Sequence, residues 1–117
     1  MKNFALILLL LPLPAWADDP LIEAVRAEKS DKGWSFAVTL SHPDSGWDHY
    51  ADGWEVLDAD GTRLGYRLLA HPHEHEQPFT RSLGGVAIAA GSKKVFIRAH
   101  CLVDGWGEQT FEVTLND

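Results

Sequence analysis

The chain has 117 residues, with 10 lysines and arginines against 17 acidic residues and a formal net charge of −7 near neutral pH. Such a surface repels phosphate backbones and anionic headgroups, which excludes nucleic acid and anionic lipid as expected partners. One cysteine, Cys101, rules out an internal disulfide, and a chain this short buries enough surface for one domain and not two.

The first element in chain order is a predicted secretory signal peptide over residues 1–17. Lys2 supplies the positive charge and Phe4 to Leu11 an unbroken apolar run. Pro12 and Pro14 stop a helix before Ala15-Trp16-Ala17, which offers small residues at both positions a signal peptidase reads. The apolar run is well short of the roughly 20 residues that span a bilayer, and no cysteine near the cleavage point could take a lipid. Cleavage before Asp18 removes 17 of the 117 residues and leaves 100; losing Lys2 moves the net charge from −7 to −8. The expectation is a single domain over 18–117, soluble in the periplasm or outside the cell, with no membrane insertion after cleavage.

The next elements follow a period of two. Leu21–Glu28 is predicted as an edge strand, since Pro20 argues against a helix there. Trp34, Phe36, Val38 and Leu40 alternate with small or polar residues, which marks a half-buried strand. Trp54–Asp58, Arg63–Ala70 and Phe79–Ile88 are further strands. Val95, Ile97, Ala99, Cys101 and Val103 share one face of another, and Phe111, Val113 and Leu115 one face of the last. Ser30-Asp31-Lys32-Gly33, Asp58-Ala59-Asp60-Gly61 and Ala90-Gly91-Ser92-Lys93 punctuate the pattern as turns. About seven short strands with turns at this spacing predict an all-β, antiparallel sandwich of the immunoglobulin or fibronectin type III kind.

The segment His71-Pro72-His73-Glu74-His75-Glu76 concentrates metal-ligating chemistry. In extended backbone His71, His73 and His75 project to one side about 6.6–7 Å apart. A modest bend would let them share one ion, with Glu76 or Glu74 completing a nitrogen-and-oxygen set suited to Zn2+, Cu2+ or Ni2+. The strand parity places this cluster on the solvent side. His42 and His49 flank an acidic loop with Asp44 and Asp48, and His100 points away from the core; one of these could reach the cluster. A solvated loop that binds ions only adventitiously stays open beside this reading. Cys101 reads as a small buried hydrophobe. A blue-copper carrier is set aside, because no histidine follows Cys101 and Met1 leaves with the signal peptide.

Tryptophan follows glycine at Gly33-Trp34, Gly46-Trp47, Gly53-Trp54 and Gly105-Trp106. Trp34 and Trp54 open strand patterns and belong to the core. Trp47 and Trp106 lie in polar, glycine-rich stretches, where an indole either caps the sandwich or contacts a glycan or protein partner. Arg81 shares parity with Phe79 and Leu83 and calls for a carboxylate partner at the rim.

His71-Pro72-His73 with Glu76-Gln77-Pro78-Phe79-Thr80-Arg81-Ser82-Leu83 resembles a segment of small secreted proteins of Gram-negative bacteria, over about Trp54 to Gly107. The resemblance implies export and carries no activity. No nucleophile elbow, phosphate-binding glycine loop or HExxH pair is present, so an enzyme is not expected. Two functions remain: a secreted module that binds Cu2+ or Zn2+ through the histidines, or an interaction domain that uses Trp47 and Trp106 with the histidines incidental.

Overall fold

The computed structural model describes residues 19–116; the signal-peptide expectation for 1–17 lies outside them. The described residues form eight strands: β1 (Leu21–Ser30), β2 (Gly33–Ser41), β3 (Ala51–Leu57), β4 (Arg63–Leu68), β5 (Phe79–Val86), β6 (Lys94–Cys101), β7 (Gly105–Trp106) and β8 (Phe111–Thr114). They build two antiparallel sheets. One has the order β1-β2-β5, the other β4-β3-β6 with β7 and β8 both on β6. Because β3 occupies one side of β6, β7 and β8 share the other and act as one interrupted edge. The arrangement is a β-sandwich with the strand order of the fibronectin type III kind.

The alternation of β2 is the clearest link from residues to packing. Trp34, Phe36, Val38 and Leu40 are all buried, and Val95, Ile97 and Ala99 of β6 join them in one core from the facing sheet with Trp54 and Val56 of β3. Trp34 and Trp54 are core residues, as their positions at strand starts imply. The strand that opens at Trp54 in the sequence pattern begins three residues earlier. Ala51 and Gly53 pair with Cys101 and His100 despite their weak strand preference, because the β6 ladder is there to receive them. The eighth strand is β7, whose two residues are too few to leave a periodic signal.

At β1 the register slips between Ile22 and Ala24, so a bulge bends the start of this edge strand. The β1–β2 turn ends on Gly33 with φ of +110°, where a Cβ would stand 2.8 Å from the Val86 carbonyl oxygen.

Three connections gather at one end of the sandwich. The segment 42–50 carries the chain from β2 in the first sheet to β3 in the second, and 69–78 returns it from β4 to β5. The short turn 102–104 joins β6 to β7 and is tied to the first loop by the Leu102 amide, which donates to the Tyr50 carbonyl at 2.9 Å.

Candidate metal centre

His42 is the residue after β2, and it continues that strand's inward parity past Leu40. Its ring is therefore carried into the end of the core and fully enclosed. Cys101 does the same from the end of β6. His49 is delivered by a tight turn in which the Ser45 amide donates to the His49 carbonyl at 3.0 Å and the His49 amide to the Gly46 carbonyl at 3.1 Å. The result is that one donor atom each from His42, His49 and Cys101 lies within 4.8 Å of the others. Among the described residues no other trio of histidine, cysteine or carboxylate side chains gathers so closely.

Asp44 holds this arrangement. Its carboxylate is wholly buried; Oδ1 accepts from His42 Nδ1 at 2.6 Å and from the Ala51 amide at 3.0 Å, and Oδ2 from the His73 amide at 2.8 Å. A hydrogen bond from Nδ1 to a carboxylate leaves Nε2 as the lone-pair nitrogen of the neutral ring, which is how metal-binding histidines are oriented. His42 Nε2 is buried and has no hydrogen-bond partner among the described residues. An orphaned acceptor of this kind is costly and calls for a ligand. The His42 and His49 rings meet edge-on with centroids 4.9 Å apart.

Asp104 completes the surroundings. The Cys101 thiol donates to its Oδ2 at 3.7 Å, and His49 Nε2 lies 3.9 Å from the same oxygen. Burial pushes the Cys101 thiol pKa up, with the backbone amides of Asp104 and Val103 opposing and the Asp104 carboxylate adding to the rise.

The histidine-rich segment has a different geometry. His71 is exposed, with its ring 4.6 Å from that of His73 and its Nδ1 3.0 Å from the Pro72 carbonyl oxygen. His73 is buried, not solvent-facing as strand parity implied, because the segment leaves strand geometry after Leu68 and folds inward. Its ring stacks on Phe79 at 3.9 Å, and its Nε2 accepts from Arg81 Nη2 at 3.0 Å. Burial, followed by the charges of Arg81 and His71, holds the His73 pKa below its ordinary value of 6.5. His75 is exposed, and Glu76 is ion-paired with Arg81 at 3.1 Å. Arg81 thus has the carboxylate partner its parity called for. The structure brings His71 and His73 together and turns Glu76 and His73 towards Arg81, without gathering three of these ligands around one point.

The two segments are nevertheless joined. The His42 amide donates to Gln77 Oε1 at 2.9 Å, and Gln77 Nε2 donates to the His73 carbonyl at 2.8 Å. With the His73 amide bond to Asp44, this ties the β2–β3 loop to the histidine-rich loop at two points.

The two loop tryptophans differ. Trp47 is 68% exposed at the tip of the 46–49 turn, edge-on to Tyr50 at 5.8 Å. Trp106 is half-buried on the outer face of the second sheet. Arg98 and Arg63 lie over its ring at 4.9 and 5.6 Å, and His100 meets it edge-on at 4.7 Å.

Sequence reasoning passed over His42 and Cys101 as a pair. The available signal was parity: both end an inward-facing alternation, His42 one step beyond β2 and Cys101 at the close of β6, which puts them at the same end of a sandwich.

No family model matches the chain, and no solved structure matches it. A protein of the halophilic archaeon Halomicrobium mukohataei named "Putative lipoprotein" is 44% identical over 93 residues, covering 80% of this chain. The chain spans about half of that relative's length, 45%. The relative is archaeal, not from a Gram-negative bacterium, so the similarity extends beyond the group that the histidine segment suggested.

Proposed function

We propose that this protein is a transition-metal-binding module that works outside the cytoplasm, with its metal held at the loop end of the sandwich by His42, His49 and Cys101. The observation that carries the reading is the buried, partnerless His42 Nε2, on a ring that Asp44 fixes within a trio of two imidazoles and a thiol. Two imidazoles and a thiolate suit Zn2+ or copper better than hard cations, which take oxygen ligands. The metal would supply cross-linking of the two loops; the chain supplies the donors, and the thiol loses its proton when it coordinates. This moves the metal expectation away from His71, His73, His75 and Glu76, since His73 Nε2 and Glu76 are already engaged by Arg81. The location is supported by the leader read in residues 1–17 and by the name of the archaeal relative; the acidic surface disfavours nucleic acid as a partner.

Thermal denaturation of chelator-stripped protein tests the reading. At a hundredfold excess of metal over Kd, stabilisation of about 2.7 kcal/mol is expected, which for a domain near 100 residues raises Tm by about 10 °C or more. His42→Gln should remove that rise. Equal Tm with and without Zn2+ or Cu2+ at millimolar concentration, or an unchanged rise in His42→Gln, overturns it.

A second reading rests on Trp47. Its ring is exposed, as are Leu102 and Val103 of the 102–104 turn, and Tyr50, which Trp47 meets edge-on, accepts the Leu102 amide at its carbonyl. An apolar rim of this kind suits a protein or glycan contact. Quenching of tryptophan emission by soluble cello-oligosaccharides, lost in Trp47→Ala at unchanged Tm, would favour a glycan; no response to sugars would leave protein as the partner class.

A further inference from the structure

We infer that Asp104 is the fourth ligand of this centre, and that the site takes a zinc-class divalent ion in a closed set of two imidazoles, one thiolate and one carboxylate. The inference rests on the metal-binding reading of the same residues and names the ion and its coordination.

Around a tetrahedral ion with bonds of about 2.0–2.3 Å, neighbouring donor atoms stand roughly 3.3–3.8 Å apart. Asp104 Oδ2 is 3.7 Å from Cys101 Sγ and 3.9 Å from His49 Nε2, close to the spacing two pairs of ligands would take; it lies outside the trio of donors that gather within 4.8 Å and closes the set by a side-chain movement towards them. The carboxylate is held there by the backbone. Cys101 pairs with Gly105, so only residues 102–104 form the turn, and Gly105 adopts φ of +83°, which folds Asp104 back beside the thiol.

Charge favours the same ion. A divalent cation meets a thiolate and a carboxylate among its ligands and the buried Asp44 carboxylate behind His42, a surplus of negative charge that favours a doubly charged ion over a singly charged one. Two of the donors, His42 and Cys101, are buried core-end residues, while the side chains of His49 and Asp104 are about a quarter exposed and form the side from which an ion arrives. Four protein ligands leave no position for a substrate or an activated water, so the ion acts as a clasp. It would fasten the turn that carries Trp47 to the turn that carries Leu102 and Val103. Asp44 contributes from behind by fixing the His42 ring.

Co2+ replaces Zn2+ in such sites and reports its ligands by colour, so titration of the stripped protein with Co2+ alone is the test. One equivalent should give intense visible d–d bands of a tetrahedral centre and a near-ultraviolet thiolate-to-cobalt band, both removed by added Zn2+. Since Cys101 is the single cysteine, that band identifies it without a variant. Asp104→Asn should weaken Co2+ binding at least tenfold and alter the d–d pattern, while the double change His73→Ala with His75→Ala should leave the spectrum as it is. Co2+ that binds with the thiolate band but identically in Asp104→Asn overturns the fourth ligand and leaves the metal reading standing. Weak octahedral bands without a thiolate band, abolished by the His73 and His75 changes, overturn the site. Absence of any bound Co2+ or Zn2+ overturns the metal reading itself.

Discussion

Asp44 is the residue on which the loop end depends. Three donors converge on its buried carboxylate: His42 Nδ1 and the amides of Ala51 and His73. Replacing it by alanine would strand all three, each costing on the order of 1 kcal/mol or more when buried. Asp44→Ala is expected to lower the unfolding free energy by about 3 kcal/mol, read from urea denaturation, and to abolish metal-induced stabilisation. His73 gives the same region a pH dependence. Its folded pKa is depressed by burial, Arg81 and His71, so the unfolded chain binds the proton more readily. The stability it contributes is therefore present above pH 6.5 and declines as pH falls below it. The urea midpoint should drop between pH 7 and pH 5.5, and the part owed to this ring should disappear in His73→Gln.

Among the elements, the hairpin turn into β2 is the least tolerant of change. Gly33 combines a left-handed backbone with a close approach to the Val86 carbonyl, so a methyl group there meets backbone that cannot yield. Gly33→Ala should cost about 2 kcal/mol or more in urea, whereas Gly61→Ala, left-handed but facing open space, should cost about 1 kcal/mol. Across the second sheet, the buried Glu55 carboxylate accepts from Arg63 Nε at 2.9 Å and from Arg98 Nε at 2.8 Å, linking β4, β3 and β6 on the face where Trp106 lies. The two arginines are partly solvated, so Glu55→Gln should cost about 1–2 kcal/mol, less than breaking a fully buried pair.

The whole molecule shows why some features were readable and others not. Period-two alternation is local and marks β2 and β6 with their inward faces; the Asp-Gly and Lys-Gly turns are equally local. The candidate site is not local. His42, His49 and Cys101, with Asp104 beside them, are separated by up to 62 positions and meet because two connections, 42–50 and 102–104, share one end of the sandwich. The histidine-rich segment drew attention by density alone; its buried ring, His73, stacks on Phe79 and takes Arg81 at Nε2, while its Nδ1 has no hydrogen-bond partner among the described residues. If the ion clasps these two connections, Zn2+ should slow amide exchange of residues 42–50 and 102–104 while leaving the hairpins at the far end unchanged, which hydrogen-exchange mass spectrometry can resolve.

The bulged edge strand β1 bears on how such molecules behave in a crowd. Among the described residues no strand pairs with its outer side, and the backbone amides and carbonyls that face outward there are a template for edge-to-edge polymerisation. The kink between Ile22 and Ala24 spoils the flat register that such pairing needs. Arg26, Glu28 and Lys29 set charge along its remaining length. Colloidal resistance thus resides in the strand farthest in sequence from Cys101 and Asp104. Neutralising those charges should raise fibril formation without altering the folded loop end, so resistance to polymerisation is set apart from the residues proposed as ligands.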